Sequence, residues 1–121
     1  MSVKKHKERS VKMQNEAKRL KALALYCREK CGKELSFLHV NFLAYLACIG
    51  REFEPTVYGP MLKGASLSAV WEADVSEEEM DGYDFQSVDK YLVLPYDTVK
   101  EMARDHKWAA AYQQHHSLIA A

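Results

Sequence analysis

No part of this chain is apolar for long enough to cross a bilayer as a helix. The longest unbroken apolar run, Phe42 to Ile49, holds eight residues, against the roughly 18 that such a span requires. Net charge is also missing, because seventeen Lys and Arg are matched by seventeen Asp and Glu, so the chain as a whole gives no electrostatic argument for nucleic acid or membrane. Glycine and proline are scarce, with five and three residues, and Gly59 and Gly64 match none of the spacings of a phosphate-cradling loop. The cysteines, Cys27, Cys31 and Cys48, are odd in number. No apolar core of a secretory signal follows the Lys-rich amino terminus, and together these features predict reduced thiols and a cytoplasmic location. Repeats and low-complexity segments are absent.

What the chain does have is an apolar helix. In Ser36 to Ile49 only Ser36, His39 and Asn41 are plainly polar. At 100° per residue Leu38, Phe42, Tyr45, Leu46 and Ile49 take one face, while Val40, Leu43, Ala44 and Ala47 cover most of the other. A helix apolar all round must be covered on nearly all sides. The expectation is a mainly α, compact single-domain bundle of five or six helices around this central one, with at most a small β element. A chain of 121 residues is one domain by length.

Around that helix the order reads as follows. Residues 1–15 are a flexible basic arm, and 16–121 form the helical domain. A stripe of Ala17, Leu20, Leu23, Ala24, Cys27 and Cys31 makes a first helix, which Gly32 closes in a left-handed cap. Ser36 caps the central helix, which is expected to stop at Gly50. Pro55 and the Gly59-Pro60 pair bar a helix from Arg51 to Pro60, leaving Phe53, Val57 and Tyr58 for a short extended piece. Ser66 caps a short helix through Trp71, whose ring is expected in the core. Ser76 with Glu79 and Thr98 with Glu101 have capping-box spacing. Phe85, Val88, Tyr91 and Leu92 share a helical face that Pro95 ends, and Val99, Met102 and Ala103 line the last helix.

Charge is split along the chain. Met1 to Lys33 carries eleven Lys or Arg against three Glu, a net of +8, and Glu72 to Asp89 carries eight acids and no base. Such blocks either face partners of opposite sign or attract each other within one fold. In the first case Lys12, Lys18, Arg19 and Lys21 are candidate polyanion contacts. Glu77, Glu78, Glu79, Asp81 and Tyr83, with the aromatics Trp108 and Tyr112, are candidate partner contacts, since aromatic anchors dominate protein interfaces.

Catalytic and metal constellations are thin. Cys27 and Cys31 lie four apart on one face, but a structural zinc site needs four ligands, and no second close pair exists. Buried small hydrophobes are the better account of these thiols. His106, His115 and His116 lack the i, i+4 spacing of a helical metal pair. No nucleophile stands beside a base in any recognisable pattern. No catalytic residue, metal or cofactor is therefore assigned. A recognition helix at Ser66 to Trp71 holds none of the Arg, Lys, Asn or Gln that read base edges, and an acidic segment follows it.

The succession Leu38 to Ile49, Tyr58-Gly59-Pro60, Val88 to Leu92 and His106 to Trp108 resembles the Panacea domain, a phage-associated, antitoxin-like family. The acidic insert before Gly82 and Met61 after the Tyr-Gly-Pro turn depart from that pattern. The resemblance implies a helical domain that inhibits or neutralises another protein, such as a toxin, nuclease or host factor, by occluding its site, with no chemistry of its own. In this reading Tyr58, Gly59 and Pro60 form a structural turn. The alternative is a helix-turn-helix-like DNA-binding regulator that uses the basic first helix.

Overall fold

In the central helix, α2 (Phe37–Leu46), five consecutive residues from Val40 to Ala44 are buried, which a helix manages only when neighbours cover it on most sides. Those neighbours come from both directions along the chain. In a computed structural model that describes the backbone of residues 2–50 and 52–105, and side chains only from 16 to 104, α1 (Ser2–Cys31) precedes α2. After it come strands β1 (Phe53–Thr56) and β2 (Gly59–Leu62), then α3 (Leu67–Glu72) and α4 (Glu77–Asp81). A 3-10 turn (Gln86–Val88), α5 (Asp89–Leu92) and α6 (Tyr96–Asp105) complete the described part. The fold is mainly helical with one two-stranded antiparallel sheet. Strand β2, α1 and α6 pack around α2, β1 reaches it through the Phe53 ring against Tyr45, and Leu20, Leu23, Leu43, Leu62, Val70, Val88 and Val99 form one buried cluster.

Local signals explain most of the boundaries. Gly32 closes α1 at φ +70°, its N–H donating to the Arg28 carbonyl at 2.9 Å. The Ser36, Ser66 and Ser76 hydroxyls each accept from the backbone N–H three residues on. At Ser76 the box is reciprocal, because the Glu79 side chain accepts from the Ser76 N–H.

Elsewhere the structure departs from expectation. Helix α1 begins at Ser2 rather than near Glu16. Helix α2 ends at Leu46, not Gly50, because Cys48 takes a left-handed φ of 58° and the Ile49 N–H turns back to the Ala44 carbonyl at 2.8 Å. Cys48 thus lies in the turn that follows α2. Gly50 serves close approach instead, since a Cβ there would collide with Leu62. The Thr98–Glu101 box does not form, because α6 already starts at Tyr96 with the Val99 N–H donating to the Pro95 carbonyl.

Val57 and Tyr58 are the two-residue turn of a hairpin rather than strand residues. Neither has a positive φ, and Gly59 at +91° supplies the left-handed residue that such a hairpin needs. Thr56 ties the turn, its Oγ1 accepting from the Tyr58 N–H at 3.0 Å and donating to the Gly59 carbonyl at 2.9 Å. Fully buried Asn41 reaches across from α2, its Nδ2 donating to the Tyr58 carbonyl at 3.1 Å.

Candidate protein-binding surface

Helix α3 is six residues long, so it has one inward stripe and no room for a second. Val70 fills that stripe at 0% exposure. The next residue lies 100° further round the helix, and Trp71 is accordingly 61% exposed rather than in the core. Its ring leans on Phe37 at the start of α2, with centroids 6.1 Å apart at 34°. From α1 the Lys21 ammonium stands 5.7 Å from the Trp71 ring centroid, a cation–π distance.

These side chains line a groove of about 520 Å³ between α1, α3 and the entry to α2. Ala24, Leu25, Leu35, Phe37 and Val40 give it apolar walls, and Lys21, Arg28 and Glu34 stand at its margins. Arg28, Glu34 and Trp71 are exposed, so the groove opens to solvent. Such a surface can hold an apolar side chain of a partner while charges at the margin orient it.

The acidic segment is partly consumed within the molecule. Glu79 caps α4 and also meets Lys18 at 2.9 Å. This pairing holds the Glu79 carboxyl below its ordinary pKa and pushes the Lys18 ammonium above its own. Asp89 accepts from the Tyr26 hydroxyl at 2.7 Å and lies 3.9 Å from Lys30. Glu77, Glu78 and Asp81 remain exposed. Tyr83 is half-buried and stacks on Phe85 with centroids 5.2 Å apart, so much of it is packing. Trp108 and Tyr112, like His106, His115 and His116, lie outside the described residues.

Of the candidate polyanion contacts, Lys18 is held by Glu79 and Arg19 lies 3.7 Å from Glu16, while Lys21 is against Trp71. The Lys12 side chain lies outside the described ones. The turn residues Gly59 and Pro60 are buried, and Tyr58 is 38% exposed. Burial pushes the Cys27 thiol up to about 12, which leaves it inert as a nucleophile at neutral pH. Burial also depresses His39, whose ring meets the Tyr96 ring edge-on at 5.3 Å. Among the described residues no group of three His, Cys, Asp or Glu is placed to hold a metal ion, and no helix is long and apolar enough to cross a membrane.

The groove is what the sequence reading missed. The signal was present in Val70-Trp71, two large apolar neighbours in a helix too short to bury both. The chain matches no family model, no curated protein and no solved structure.

Proposed function

We propose that the protein is a binding module that inhibits or neutralises a partner protein by covering its site. The observation that carries this reading is Trp71, a large aromatic kept 61% exposed against Phe37 at the mouth of an open groove. An exposed aromatic beside a preformed apolar hollow is the usual anchor of an interface. The exposed carboxylates Glu77, Glu78 and Asp81 supply a second contact to a basic partner surface. The resemblance of the Leu38–Ile49, Tyr58-Gly59-Pro60 and Val88–Leu92 stretches to the Panacea domain supports the same reading, occlusion rather than chemistry. The internal pairing of Lys18 and Arg19 weighs against DNA contact through those two residues.

The test is capture of the partner from nuclease-treated host lysate by tagged wild type and by Trp71→Ala. Truncating an interface anchor costs about 2 kcal/mol or more, or roughly thirtyfold in affinity. A stoichiometric protein should be lost from the variant while its circular dichroism and melting stay at wild-type values. Replacing Glu77 and Glu78 by Lys should weaken capture further without disturbing the α4 cap, since Glu79 is left in place. Undiminished capture by Trp71→Ala removes the groove from the interface. Recovery of nucleic acid alone, falling away as salt rises, would instead favour the basic first helix as the contact.

A further inference from the structure

We infer that the groove receives an acidic amphipathic helix of the partner, laid along α1 with carboxylates over Lys21 and Arg28 and an apolar stripe on Leu25, Phe37 and Trp71. This deepens the protein-binding reading and rests on it. The first argument is charge left over. Among the described basic residues of α1, Lys18 faces Glu79, Arg19 faces Glu16 and Lys30 faces Asp89. Lys21 and Arg28, the two at the groove, have no carboxylate partner among the described residues.

The second argument is spacing. Lys21 and Arg28 are seven residues apart on α1, two turns, which sets them about 10 Å apart along one face. A partner helix offers acids at the same i, i+7 interval, with apolar residues at i+3 and i+4 between them to meet Leu25 and Trp71. The third argument is backbone. Neither β1 nor β2 lines the groove, whose wall is α1, α3, the start of α2 and the connecting residues Glu34, Leu35 and Ser36, so no sheet edge is offered to an extended peptide. A helix brings its own hydrogen bonds satisfied, so its backbone needs nothing from the groove. Glu34, also in the groove lining, disfavours a polyanion and a partner that is acidic along its whole length.

The experiment uses two labelled, staple-constrained helical peptides of about 15 residues. One carries Glu at i and i+7 with Leu at i+3 and i+4, and its twin carries Lys in place of Glu. Fluorescence polarisation against the full chain, at low and high salt, should show the acidic peptide binding about tenfold tighter at low salt, with the advantage shrinking as salt rises. Lys21→Glu with Arg28→Glu should invert the preference. Lys21→Gln with Arg28→Gln should abolish it, and circular dichroism confirms that each variant is folded.

Equal binding of the twins, or a preference untouched by the charge swap, overturns the acidic-helix inference. If Trp71→Ala then loses both peptides, the protein-binding reading survives that failure. No binding of either peptide, with partner capture unaffected by Trp71→Ala, overturns both. Native mass spectrometry adds two further contrary results. A dimer lost in Trp71→Ala would give the groove to a second copy, and a small apolar molecule released on unfolding would make it a ligand pocket.

Discussion

At position 59 the hairpin asks for a left-handed residue and α2 leaves little room for a side chain. Glycine meets both demands, with φ at +91° and a virtual Cβ only 3.2 Å from the Phe42 ring. Gly59→Ala should therefore lower stability by about 1–3 kcal/mol, read as a shift in urea midpoint. An unmoved midpoint would show that the hairpin relaxes away from Phe42. The titrating groups make a second residue-scale prediction. Burial first, and then the hydrogen bond to Asp89, push the Tyr26 hydroxyl up to about 12 from 10.0, and burial pushes the Cys27 thiol to about 12 from 9.0. Both groups stay protonated longer in the folded chain than in the unfolded one. Stability is thus unaffected by them below pH 9.0 and falls as pH rises from there toward about 12, where the folded groups ionise in turn. Urea midpoints measured across that window should decline, and Tyr26→Phe should flatten the decline above pH 10.0. A constant midpoint would mean that neither group is held neutral by the fold.

Among the elements, α2 shows both the reach of sequence reasoning and its limit. Its apolar periphery announced a covered central helix, and Ser36 announced where it starts. Its end was not legible, because no residue type marks the turn at Cys48. A non-glycine in the left-handed region goes against intrinsic preference, and only the surrounding contacts hold it there. Cys48→Gly should accordingly stabilise the protein by about 0.5–1 kcal/mol, the relief of that conformation being partly offset by a more flexible unfolded chain. A loss of stability in thermal melts would reveal a packing role for the thiol. Strand β2 was hidden for a related reason. Gly59-Pro60-Met61-Leu62 has neither strand propensity nor alternation, and it is buried along its whole length. Only its partner across the register, Phe53 opposite Leu62, makes it a strand. The three serine caps were readable because capping depends on one side chain and the next few residues. Trp71 was misread because the outcome depended on which neighbour of a six-residue helix the core would take.

For the whole molecule, the +8 and −8 blocks turn out to pair with each other at Lys18–Glu79 and Lys30–Asp89. These contacts are partly solvated, so their contribution is small and screened by salt. Raising salt from about 0.02 M to about 0.5 M, which shortens the screening length several-fold, should lower the urea midpoint slightly. Lys18→Met should remove much of that dependence. A salt-independent wild-type midpoint would show that the two blocks do not stabilise the fold through their pairing. The arrangement around α2 has a further consequence, for the order in which the protein can be made. Helix α2 lies between residues 37 and 46, yet part of its cover is α6, residues 96–105. During synthesis the most apolar helix of the chain therefore emerges with one side bare, and stays so until some fifty more residues have followed. At about 5–20 residues per second that interval lasts several seconds. A nascent chain halted before α6 should bind hydrophobic-segment chaperones, and release should follow once Val99 and Ala103 are available to pack.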